Sequence, residues 1–152
     1  MKYLPAATRR AAFSVALAAL TICATPAPAP AEDTAASADD IRWLISVSLR
    51  DGGQDWLDPF VTDLLAASGT EQGTLVHEWL RNGDTVHVFA RFTDSRAALD
   101  HLSLFSESYA GQFRERLSLN SMSVYGPVSG DLREALTGFS PAYFETLGGF
   151  AR

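Results

Sequence analysis

The sequence predicts an α+β fold of the ferredoxin-like, split βαβ kind, and three observations carry that expectation. Residues 41–152 run through strand, helix, strand, strand, helix and strand periodicities in that order. The two middle strands meet at Asn82-Gly83, the strongest short hairpin signal, because a type I′ turn needs two positive φ angles. The strands also carry apolar residues on both faces, Val76, Leu80 and Phe89 among them, although helices cover only one face of such a sheet.

Each element has its own signal. Ile41–Arg50 alternates Trp43, Ile45, Val47 and Leu49 with polar residues at period two, and Asp51-Gly52-Gly53 breaks it. Trp56, Leu57, Phe60, Val61, Leu64 and Leu65 recur at helical spacing, with Asp58-Pro59 as cap and first-turn proline and Gly69 as the stop. Strands follow over Thr74–Arg81 and Asp84–Thr93. Asp94 caps a helix carrying Ala98, Leu102 and Phe105, and a second helical stretch carries Tyr109, Phe113 and Leu117. Leu119–Tyr125 is the fourth strand, stopped by Gly126-Pro127. From about residue 127 the chain extends beyond the split βαβ unit. Asp131 and Glu134 resemble a capping box for a short helix with Leu132 and Leu136, and the aromatic tail Pro141–Arg152 is expected to dock on apolar surface.

The N-terminus reads as an address. Lys2, Arg9 and Arg10 precede an apolar run from Ala11 to Cys23, and a Pro/Ala stretch ends in Ala29-Pro30-Ala31. That is the layout of an export signal over 1–31, and the run is short of the ~20 residues a membrane span needs. An uncleaved anchor is the alternative. Arg9-Arg10 suggests the twin-arginine route, although Ala12 stands where that motif has Phe. Cys23 is the chain's one cysteine, so cleavage after Ala31 leaves a periplasmic or secreted protein without a disulfide. Residues 32–40 are small, acidic and aperiodic, as in a disordered leader.

Charge excludes some partners. The chain has 12 Lys and Arg against 18 Asp and Glu; three of the bases and none of the acids lie in the first 31 residues, so the body is strongly acidic. An acidic body without a basic stripe argues against nucleic acid and anionic membranes. Two partly apolar sheet faces under a single layer of helices argue for a homodimer closed through the open face.

A two-residue Asn82-Gly83 loop pairs Arg81 with Asp84, which sets Glu78 opposite His87 and Thr74 opposite Arg91. Glu78, His87 and Arg91 then share the open face as an acid/base site or as a polar network that fixes dimer register. His77, Trp79 and Phe92 fall on the helix-facing side, with His101 arriving from the second helix; these either line a pocket or are ordinary core. His77 and His87 point to opposite faces and no His-x3-His or Cys pattern exists, so no metal site is expected.

The stretch Gly73-Thr-Leu-Val-His-Glu-Trp-Leu80, followed by Val86-His-Val-Phe-Ala-Arg-Phe-Thr-Asp-Ser-Arg-Ala-Ala-Leu-Asp-His101, resembles the antibiotic biosynthesis monooxygenase family. The ending Tyr143–Arg152 is similar to a C-terminal extension of one bacterial subgroup. The resemblance covers nearly all of 41–152. It implies a dimeric α+β barrel with two sheets face to face, and in each subunit a pocket between sheet and helices. It further implies oxidation of quinol-like or polyphenolic small molecules with O2 and no metal or flavin cofactor, although some members degrade haem and many have no known activity. His101 matches a helix histidine common in the family and Glu78 the family's glutamate. His77 stands where Tyr is frequent, Ala90 where Glu is usual, and Phe92 where Trp is frequent; the last departure weighs against haem degradation. On this reading His101 is the base that takes a phenol proton, His77 hydrogen-bonds the substrate oxygen, and Trp79 and Phe92 stack on the ring and exclude water. The competing reading is a non-catalytic exported dimeric module that binds a small apolar ligand.

Overall fold

The computed structural model describes residues 37–50 and 54–149. The export signal, most of the leader, the Asp51-Gly52-Gly53 break and the last three residues of the tail lie outside them. The elements are β1 (Ile41–Leu49), α1 (Gln54–Ser68), β2 (Thr74–Asn82), β3 (Thr85–Phe92), α2 (Ser95–Ser108), α3 (Ala110–Arg116), β4 (Leu117–Tyr125), α4 (Gly130–Ala135), a 3-10 turn (Thr137–Phe139) and β5 (Ala142–Phe144). The sheet order is β2-β3-β1-β4-β5, the antiparallel split βαβ sheet with a fifth strand added parallel to β4. The expected fold class is therefore present. The docked tail takes a form that its aromatic composition did not specify: Tyr143 pairs with Val124, and the Arg133 guanidinium lies 4.1 Å over the Tyr143 ring.

Of three helix starts expected from side-chain signals, one is as read and two differ. Asp94 caps α2 by accepting from Ala97 N at 2.8 Å. The α4 cap is Ser129, accepting from Leu132 N at 3.3 Å, and not Asp131, which lies in the first turn where its charge suits the helix dipole. Helix α1 begins four residues before Asp58 and contains Pro59. Pro59 leaves the Asp55 carbonyl without its helical donor, a cost that the burial of Leu57, Phe60 and Leu64 on the inner face offsets.

The β2–β3 hairpin corrects the expected register. The turn residues are Gly83-Asp84, with Gly83 at φ 60 and Asn82 paired with Thr85. Glycine at the first central position is the type II′ solution, and Asn-Gly-Asp offers it as readily as type I′. Glu78 consequently faces Phe89, and His87 faces Leu80. A slip of two residues keeps every side chain on its expected face, so Glu78 and His87 share the open face but are not direct partners. A bulge between Thr74 and Val76 sets Thr74 opposite Phe92 instead of Arg91, turning it toward the helices.

Helices cover one sheet face over two core clusters. One joins Ile41, Trp43, Phe92, Val124 and Leu136; the other joins Val47, Leu57, Phe60, Leu64, Val86 and Phe113. Ile45 packs against both. On the open face, no hydrogen bond or ion pair joins Glu78, His87 and Arg91 to one another among the described residues. Arg91 instead closes on Asp40, whose Oδ2 receives its Nε and Nη2 at 2.6 Å each. Asp40 is 2% exposed and also accepts from Ser37 N, so the end of the leader is ordered, held by this buried ion pair. Glu78 and His87 are exposed and make no hydrogen bond or ion pair among the described residues.

Candidate active site

A cavity of about 40 Å³ lies under the helices where the two core clusters meet. Trp43, Ile45, His77, Trp79 and Met122 line it from the sheet, Leu64, His101, Phe105 and Phe113 from α1–α3, and Leu136 and Phe139 from the C-terminal extension. His77, Trp79 and His101 thus come together on the expected side. Phe92 does not reach the cavity: it is fully buried beneath His101, with ring centroids 5.2 Å apart, and packs on Trp43 at 4.5 Å. Trp43 takes the lining place expected of Phe92.

His101 sits one turn beyond Ala97 on the buried side of α2. Ala97 and Ala98 are small enough for the helix to approach the sheet closely, which leaves the imidazole 4% exposed. Its Nδ1 donates to Glu71 Oε2 at 2.8 Å. The same Glu71 oxygen accepts from Thr74 Oγ1 at 2.6 Å, a contact that the β2 bulge makes available. Glu71 Oε1 is buried without a hydrogen-bond partner. Its negative charge therefore has few other donors to satisfy it, and it acts on the imidazole all the more strongly. A carboxylate on Nδ1 fixes the tautomer and leaves Nε2 as the basic nitrogen. Nε2 makes no hydrogen bond among the described residues.

Gly73 is what brings Glu71 there. At φ +97 its missing Cβ would stand 2.7 Å from Ala97 Cβ, so only glycine lets the loop before β2 lie on the first turn of α2. Its carbonyl is pinned by Thr93 N at 2.9 Å. Glu71 carries no motif. Its placement depends on a tertiary contact between loop and helix, and a glycine four residues after Ser68's own Gly69 is the one trace of it in the sequence.

His77 makes its hydrogen bonds within the protein. Trp79 Nε1, which can only donate, gives its proton to His77 Nε2 at 3.1 Å. The ring proton is then on Nδ1 and is donated to Ser68 Oγ at 3.0 Å, and Ser68 passes its own hydroxyl proton to Leu64 O at 2.8 Å. Both His77 nitrogens are engaged, so in this arrangement neither is offered to a ligand oxygen. Burial, and then the neighbouring His101 at a ring separation of 4.9 Å, lowers its pKa from 6.5 to about 4 and keeps it neutral. Its hydrogen bond with Trp79 ties that ring's position on the cavity wall to β2. Ser68, like Glu71, carried no signal beyond its place at a helix end.

The site thus offers one oriented base beside an apolar, aromatic-walled space. The space is small: a cavity of ~150 Å³ is what admits a benzene ring, so a wall must move before an aromatic ligand enters. Among the described residues, no group of three or more His, Cys, Asp or Glu is placed to hold a metal ion.

No protein-family model matches the chain, and no curated protein sequence matches it. Solved structures do. MupZ from Pseudomonas fluorescens superimposes with a TM-score of 0.68 at 20% identity over 74% of this chain and 94% of that one. SnoaB from Streptomyces nogalater, a cofactor-independent oxygenase, gives 0.51 at 14% identity over 60% of this chain and 95% of its own. A Chloroflexus aurantiacus protein provisionally named an antibiotic biosynthesis monooxygenase gives 0.50 at 16% identity over 60% and 95%. These likenesses show the fold alone: an α+β fold that this chain shares with the three solved structures.

Proposed function

We propose that the protein is a cofactor-independent oxygenase that oxidises a quinol-like or phenolic small molecule with O2, using His101 as its base. The observation that carries this reading is the Glu71–His101 pair, with Nδ1 held at 2.8 Å and Nε2 free, on the wall of an otherwise apolar cavity. His101 Nε2 takes the phenol proton, and Glu71 stabilises the imidazolium that results. The phenolate passes one electron to O2, and the superoxide and the carbon radical join as a hydroperoxide. His101 returns its proton to the peroxide oxygen, and loss of water leaves one oxygen atom on the ring carbon as a carbonyl: one O2 is consumed, and the water carries away the hydroxyl hydrogen and the ring carbon's single hydrogen. Trp43 and Trp79 flank the ring and keep water from the anion.

The working unit in this proposal is an exported homodimer closed through the open sheet face. Leu44, Val76 and Phe89 stand there outside the helical cover, and Leu80 is 57% exposed. The small cavity favours a second reading, a dimeric module that binds a small apolar ligand without turnover. Oxygen-electrode measurements across hydroquinones, catechols and fused-ring polyphenols separate the two. Saturable O2 uptake with at least one substrate supports the oxygenase; its absence from every substrate with folded protein gives the binding module.

A further inference from the structure

The cavity beside His101 has one wall built differently from the others. Trp43, His77 and Met122 stand on sheet strands, and His101 on the 14-residue helix α2. Phe139 stands on a three-residue 3-10 turn of the C-terminal extension. Among the described residues, the turn's backbone bonds are local: Phe139 N donates to Leu136 O at 2.9 Å and Ser140 N to Thr137 O at 3.1 Å. Ser140 closes the turn in the left-handed region at φ 48, where a non-glycine residue is disfavoured. Leu136, next to it, is fully buried in the core, whereas Phe139 is partly exposed where it lines the cavity. A segment with few buried contacts and only local hydrogen bonds opens at the least cost.

We propose that Phe139 is the specificity-determining residue of the pocket, admitting a single aromatic ring and excluding fused rings. The inference rests on the oxygenase reading for its choice of ligand, a single-ring catechol or hydroquinone. The cavity, about 40 Å³, is well below the ~150 Å³ that holds one benzene. Swinging Phe139 outward vacates the space of one phenyl ring. One ring then replaces one ring, and the remaining walls belong to the sheet, to helices α1–α3 and to the fully buried Leu136, which leaves no room for a second.

Calorimetric titration without O2 tests this, with catechol and 2,3-dihydroxynaphthalene as probes and with wild-type, Phe139→Ala and Phe139→Leu proteins. Wild type is expected to bind catechol at least about tenfold more tightly than the naphthalene diol. Phe139→Ala should improve naphthalene diol binding by about tenfold or more, and Phe139→Leu, which keeps more of the packing, by a smaller factor. The proposal is overturned if wild type shows no ring-size preference, if both variants keep the wild-type preference, or if neither probe binds any of the three. Binding and turnover fail separately. The expected preference without O2 uptake refutes the oxygenase and leaves the size limit standing; O2 uptake with unchanged preference does the reverse.

Discussion

His77 gives the structure a stability signature that can be read without a substrate. In the unfolded chain its imidazole titrates near 6.5; in the folded chain burial and the adjacent His101 hold it at about 4. Between those values the unfolded chain takes up a proton that the folded chain refuses. The folded state is therefore penalised as pH falls: the contribution is fully present above about pH 6.5 and is lost by about pH 4. At about 1.4 kcal/mol for each pH unit between the two values, the loss is about 3 kcal/mol. His77→Gln removes the titration while keeping an acceptor for Trp79 and a donor for Ser68. Urea denaturation of both proteins at pH 7 and pH 4, at one protein concentration, isolates the effect because other groups titrate in both. Wild type should lose about 3 kcal/mol more than His77→Gln across that interval. Equal losses would refute the buried, doubly bonded, neutral His77 described above.

Four further outcomes are expected. Gly73→Ala should cost about 2 kcal/mol in chemical denaturation, from positive φ and the clash with Ala97, and should also lower turnover by displacing Glu71. Asp40→Asn, which breaks the buried pair with Arg91, should cost about 3 kcal/mol and lower the thermal midpoint by roughly 10 °C. Glu71→Gln should reduce turnover of an active substrate by about 10²-fold, and the double variant with His101→Ala should be no worse than His101→Ala alone, because the two act as a unit. Sedimentation velocity should give a dimer that Phe89→Asp converts to a monomer; a wild-type monomer at micromolar concentration contradicts the closed sheet face.

The fold was legible because its signals are local and redundant. Trp43, Ile45 and Val47 alternate, Asp94 caps α2 with its own side chain, and Gly126-Pro127 ends β4. Hairpin register was only half legible. Alternation fixes the face of each residue but is blind to a two-residue slip, and Asn82-Gly83-Asp84 supports two turns that differ by that slip. The site divides the same way. His101, His77 and Trp79 could be placed from periodicity, because strand and helix phase determine their side. Glu71, Ser68 and Trp43's lining role depend on how loop, helix end and sheet pack together, and no period encodes that. The substitution of Trp43 for Phe92 at the cavity follows from depth along the sheet: both face the helices, but His101 covers Phe92.

The central claim, that His101 held by Glu71 is the base of an oxygenase, is tested most directly by turnover under isotopically labelled O2. The measurement follows label in the product of wild type and of His101→Ala with the best substrate from the O2-uptake panel. The wild-type product should carry one labelled oxygen atom, with the other in water, and His101→Ala should be slower by about 10²–10⁴-fold with the fold intact. A product carrying oxygen from water, or a labelled product formed equally fast by His101→Ala, would contradict it.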